Sequence, residues 1–183
     1  PNGKGAFGYD NTPGKDVFNL RLDDHIGGEN AETQEDGSAG FGGVFIDSLL
    51  WWSAHPELPG ARPDSAPDVD PLFDDIFDPT RATPATLAEI QGQGARSQAV
   101  ARAIRALGSI IGETSAHEIG HSLGLADPHG KKTTYHNPEP AEGCLMDAGR
   151  HRPLVERAAE PGAAPTRLCH DGPAYLDTIL PLP

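Results

Sequence analysis

The chain places two histidines four residues apart with a glutamate beside the first, in the run His117-Glu118-Ile119-Gly120-His121. Residues four apart on a helix share a face about one turn from each other, so both imidazoles can reach one metal ion. Glu118 projects beside them, close enough to take a proton from a water at the metal without being a ligand. Gly124 follows, and a glycine just after a helix can take the left-handed conformation that ends it and turns the chain. That turn lets Asp127 swing back toward the same metal, with His129 as its rival for the third position. Two nitrogens, one carboxylate oxygen and one open position describe a catalytic zinc site rather than a closed structural one. A bare HExxH arises by chance in many chains. The helix-compatible segment before it, the glycine after it and the third ligand beyond lift this one above that background.

The run HEIGHSLGLAD from His117 to Asp127 resembles the signature of the metzincin zinc peptidases, HExxHxxGxxH. Its aspartate in third place is similar to the snapalysin group of small secreted bacterial metzincins, HExxHxxGxxD. Gly143-Cys144-Leu145-Met146-Asp147 resembles the Met-turn that lies beneath the metal in that clan, and Met146 is the only methionine of the chain. The resemblance covers positions 109 to 149 well and the remainder loosely. It implies a zinc-dependent endopeptidase in which His117, His121 and Asp127 hold the ion, Glu118 is the general base and Met146 packs below without bonding to zinc. It also implies an α+β, zincin-like fold in a single catalytic domain, 1–183. The upper subdomain, about 1–124, would carry a mixed β-sheet and the active-site helix. The irregular lower subdomain, about 125–183, would end in a C-terminal helix. Two positions depart from the pattern. Asp127 stands where most metzincins have histidine, and Ala148 stands where astacins and serralysins carry a tyrosine, so no such tyrosine is expected to stabilise an oxyanion.

Composition sets the wider bounds. With 183 residues the chain can bury a proper core as one domain. Its 22 glycines and 18 prolines predict long irregular loops. A net charge of -13, from 14 basic and 27 acidic side chains, argues against nucleic acid and against anionic membrane surfaces as partners. A protein or peptide substrate bound in extended form is the expected partner, the chain itself being a monomer. No apolar run is long enough to span a bilayer, and no signal peptide is visible. The chain opens on Pro1, which fits a processed or truncated form of a secreted protein. In an oxidising compartment Cys144 and Cys169 could form one disulfide tying the Met-turn to the C-terminal segment; two buried thiols are the alternative.

The elements around the motif follow from pattern. Asp16–Leu22 alternates as a half-buried strand, and residues 23–40 read as an acidic loop in which His25 is exposed. Phe41–Ser48 reads as the next strand, placed to offer an edge to a peptide substrate. Trp51 and Trp52 read as core or lid packing, with cleft lining as the other possibility. Residues 53–80, rich in proline and aspartate, read as a long loop, and Ca2+ is a second candidate cation there beside Zn2+. Thr83-Pro84 predicts a helix start, and a helix from near Ser97 carries Val100, Ile104, Leu107 and Ile111, with Gly108 and Gly112 as points of break or bend. Tyr135 and His136 lie in a polar loop, 126–142, within reach of substrate. Short helices are expected over Pro153–Glu160 and Asp171–Leu180. Two other readings compete: a gluzincin-type peptidase with Glu156 or Glu160 as third ligand, and a non-catalytic acidic calcium-binding surface module.

Overall fold

The computed structural model describes residues 8–9, 43–64, 66–127, 129 and 136–180. The expected strand Asp16–Leu22, the acidic loop 23–40 and Tyr135 lie outside the described residues. Helices dominate what is described. β1 (Gly8–Tyr9) and β2 (Gly43–Val44) form one antiparallel pair, Gly8 opposite Val44 and Tyr9 opposite Gly43. This two-residue ladder is the only one among the described residues, so the α+β fold with a mixed β-sheet is not what the chain adopts there. Of the expected strand Phe41–Ser48, residues 43–48 are described: Gly43–Val44 pairs as β2, Phe45 is extended, and α1 (Ile46–Leu49) follows in place of further strand, leading into a 3-10 turn at Leu50–Trp52. The physical reason lies in spacing: Leu49 and Trp52, three apart, both face the core, which a helical turn allows and a strand does not. Trp51 and Trp52 are buried rather than lining a cleft.

The stretch 53–80 is not all loop. Asp70 accepts from the Leu72 N–H at 3.0 Å and Pro71 takes the first helical position, which starts α2 (Pro71–Arg81). Phe73 and Ile76 form its buried side. Helix α3 (Leu87–Gln91) begins later than Thr83-Pro84 suggests, because Thr86 and Glu89 close a reciprocal capping box. α4 runs without a break over 29 residues, Ala95–Leu123. Gly108 and Gly112 do not interrupt it. Each costs about 1 kcal/mol against alanine, and burial of Ala103, Ala106 and Ile110 along the same helix outweighs that. A 3-10 turn at Gly149–His151 leads to α5 (Leu154–Arg157), and α6 (Gly172–Ile179) closes the described chain. Asp171 precedes α6 as expected but makes no side-chain cap bond.

Two apolar clusters flank α4. The first joins Leu49, Trp52, Phe73, Ile76, Ala103, Ala106, Ile110, Leu154 and Ala158. Arg102 fastens its rim, bonding Asp75 of α2 at 2.8 Å and Glu160 beyond α5 at 2.6 Å. The second cluster, Leu125, Ala126, Leu145, Met146, Tyr175 and Ile179, lies beyond the C-terminal end of α4. No helix among the described residues is long and apolar enough to cross a membrane.

Candidate metal centre

His117 and His121 share the last turns of α4, with Nε2 to Nε2 at 3.0 Å and the rings edge to face, 4.6 Å between centroids. Two nitrogens on one zinc, each about 2.0–2.1 Å from it, stand about 3.3 Å apart in tetrahedral geometry. The pair is therefore set at nearly the separation a shared ion requires. The His117 Nδ1–H donates to the Leu145 carbonyl at 2.6 Å, which places the proton on Nδ1 and leaves the Nε2 lone pair facing His121. Burial above all, with the charge of His121 next, holds the His117 pKa well below the ordinary histidine range, against the opposing pull of the Leu145 carbonyl. His117 is thus neutral near pH 7, the form that binds metal. Glu118 is half-buried beside it. One turn below, Thr114 donates to the Ile110 carbonyl at 2.7 Å and accepts from the buried Arg157. The Arg157 guanidinium also lies over the Trp52 ring, 5.3 Å from its centroid, and the charge of Glu118 acts on it.

The helix ends where the sequence indicates. Gly124 is left-handed (φ 69), and its N–H and that of Leu125 return to the His121 and Gly120 carbonyls at 3.0 and 2.9 Å. The Tyr175 hydroxyl donates to the Leu123 carbonyl at 2.9 Å. Met146 packs against the α4 backbone at Gly120, between the two histidines in sequence: a Cβ added there would collide with its sulfur. The turn carrying Met146 is pinned on three sides. Leu145 N–H bonds the Arg167 carbonyl at 2.9 Å, Arg167 N–H bonds the Gly143 carbonyl at 2.8 Å, and Cys144 forms a disulfide with Cys169. Gly143 needs its φ of +74, and a side chain there would meet the Pro165 carbonyl at 2.7 Å.

The candidates for third ligand fall in different places. Among the described residues His117, His121 and His136 bring one ring nitrogen each within 4.8 Å of one another. His136 stacks on His117 at 5.3 Å between centroids, 21° apart, and stands edge-on to His121. Asp127 is outside that group, its N–H bonded to Asn137 Oδ1 at 3.1 Å. His129 turns Nδ1 toward the Leu125 carbonyl at 3.1 Å and Nε2 toward the His170 carbonyl, and stacks on Tyr175 at 4.9 Å. Glu156 accepts from the Gly143 N–H at 3.3 Å and lies 3.9 Å from Arg152, while Glu160 pairs with Arg102. His136 carries no spacing signal, since it sits 15 positions from His121 in a polar loop. Only the fold brings it in.

In the aspartate-rich stretch the carboxylates have internal uses. Asp70 caps α2, Asp75 pairs with Arg102, Asp74 accepts from the Ala54 N–H at 3.0 Å, and Asp78 lies 3.2 Å from His55 and 3.5 Å from Arg81. Desolvation opposes it, yet bonds from Ser53 and Ala54 and the charges of His55 and Arg81 leave the Asp74 pKa below its usual value. His55, Asp74 and Asp78 form a second surface group within 4.8 Å, in which Arg81 already supplies a positive charge.

Compared with family models, curated proteins and solved structures, the chain matches none.

Proposed function

We propose that this chain is a zinc-dependent endopeptidase in which His117 and His121 hold the ion and Glu118 acts as general base. The observation that carries the reading is the 3.0 Å approach of the two Nε2 atoms with His117 locked through Nδ1 to the Leu145 carbonyl. Two half-buried imidazoles brought edge to face cost desolvation, and neutral nitrogens aimed at one point fit the donor set of a borderline-soft divalent cation. Zinc held there supplies an acidified water and a polarised peptide carbonyl. Glu118 takes the proton of the attacking water and returns it to the leaving amine. The Leu145 carbonyl keeps the His117 ring in one orientation through the cycle, and Met146 keeps the helix at a fixed height above its floor. The substrate class is protein in extended form, and the Cys144–Cys169 disulfide suits an extracellular setting.

The test is cleavage of an unfolded protein by wild type and Glu118→Ala, each purified with zinc and assayed for metal content. The variant is expected to keep the metal and to lose roughly 100- to 10,000-fold in turnover, the range for removing a general base. Near wild-type turnover in Glu118→Ala overturns the assignment.

A further inference from the structure

We infer that His136, rather than Asp127 or His129, supplies the third protein ligand of the metal, an inference that rests on the zinc reading above. Among the described residues, the ring nitrogens of His117, His121 and His136 are the set that meets within 4.8 Å at this end of α4. His136 is exposed and stands next to both rings, 21° from the plane of His117 and edge-on to His121, each 5.3 Å between centroids.

Its neighbour in sequence explains why it is held there. Asn137 is buried, and its N–H and both polar atoms of its side chain are bonded. Its N–H bonds the Met146 carbonyl at 3.0 Å, its Nδ2 bonds Asp147 Oδ1 at 2.7 Å, and its Oδ1 accepts from the Asp127 N–H at 3.1 Å. Asp147, fully buried, spends its other oxygen on the Ala141 N–H at 2.8 Å. A satisfied buried polar clamp of this kind fixes backbone position, so the residue before Asn137 is anchored to the same turn that carries Met146 and Leu145. One rigid segment then both orients His117, through the Leu145 carbonyl, and presents His136.

The rivals stand apart from this group. Asp127 gives its backbone N–H to Asn137 and stays outside the nitrogen group, while His129 aims both nitrogens at carbonyl oxygens. Three neutral imidazoles leave the ion its full double charge, whereas a carboxylate ligand would cancel half of it. A three-histidine centre therefore acidifies its water more strongly than the aspartate-ligated one that the local motif suggests.

The experiment measures zinc affinity by competition with a chromophoric chelator, together with the visible spectrum of the cobalt(II)-loaded protein, which reports coordination number. Wild type, His117→Ala, His136→Ala, His136→Asp, Asp127→Ala and His129→Ala are compared, with far-UV circular dichroism of the metal-free forms as the folding control. His136→Ala is expected to weaken zinc by more than the roughly 10- to 100-fold typical of losing an outer partner of a ligand, and to change the cobalt spectrum. His136→Asp, which keeps one ligand atom, is expected to recover part of the loss. Asp127→Ala and His129→Ala are expected to stay within a few-fold of wild type. Loss of zinc in Asp127→Ala or His129→Ala with wild-type affinity in His136→Ala overturns the assignment of His136 and leaves the zinc reading standing. Wild-type zinc affinity in His117→Ala overturns the zinc reading itself, and this inference with it.

Discussion

The two halves of α4 are held by different kinds of force. The part up to Ile110 is fixed by area: Ala103, Ala106 and Ile110 pack against Leu49, Trp52, Phe73, Ile76 and Leu154 from four other helical segments. Its C-terminal half is fixed by points. The Leu145 carbonyl, the Tyr175 hydroxyl, the Met146 thioether and the Cys144–Cys169 bridge each restrain one atom or one turn. Area burial is non-directional and tolerant of small shifts. Point restraints set angles. A metal centre needs angles, and the proposed one lies where the chain abandons regular packing for turns that carry specific donors and acceptors.

If this division is right, damage to the first half lowers stability without altering the site. Ile110 is fully buried, and Ile110→Ala is expected to cost about 2–5 kcal/mol, the range for truncating a core aliphatic. Zinc affinity per folded molecule should be unchanged. Denaturant unfolding and chelator competition on the same samples read both quantities. A tenfold loss of zinc affinity at undiminished stability would reverse the roles assigned to the two halves.

The disulfide tests the other half. Cys144 and Cys169 are 25 positions apart, and replacing both with serine is expected to cost about 3 kcal/mol through the freed loop of the unfolded state. Unlike Ile110→Ala, this change should also reach the metal. It releases the turn whose Leu145 carbonyl orients His117, and zinc affinity should fall roughly 10-fold or more, as for other partners that orient a ligand. An unchanged affinity would mean that the backbone bonds between Gly143, Leu145 and Arg167 hold the turn unaided.

What could be read from the sequence follows the same division. The His117/His121 spacing, the Gly124 stop and the closing helix α6 are local, so periodicity and one glycine suffice to find them. The α2 helix falls inside the stretch read as loop: Asp70-Pro71 is a cap followed by Phe73 and Ile76 at helical spacing, a signal that the density of aspartate there obscured. Phe41–Ser48 misleads in the other direction: Val44, Phe45 and Ile46 have strand-like propensity, and the side on which Leu49 and Trp52 find their partners overrides it. The mixed sheet was inferred from resemblance around the histidines alone, and a motif confined to one helix and one turn does not constrain the layers that pack against them. His136 is the extreme case. Its neighbourhood is set by Asn137 and Asp147, whose pairing joins residues ten apart across an irregular loop, and no period marks such a contact in advance.

The smallest expected effect isolates a single point restraint. Tyr175 stacks on His129 and gives its hydroxyl proton to the Leu123 carbonyl at the last turn of α4. Tyr175→Phe keeps the ring and removes only that bond, so the expected loss is about 1 kcal/mol, with zinc affinity within about twofold because Gly124 and the Met146 floor still end the helix. Burial pushes the Tyr175 hydroxyl up to about 12, against about 10 for an exposed tyrosine. The unfolded chain therefore releases this proton first. The contribution is whole below pH 10 and is lost as the pH rises from about 10 to about 12. Melting temperatures of wild type and Tyr175→Phe should accordingly differ by a constant amount from pH 7 to 9 and converge above pH 10, the shared loss from other groups cancelling in the difference. A gap that stays constant through pH 11 would show that the hydroxyl is not withdrawn from solvent at the end of α4. In that case the end of α4 would be secured by the packing of Tyr175 and Ile179, and the contrast between area and point restraint would have to be drawn closer to the histidines.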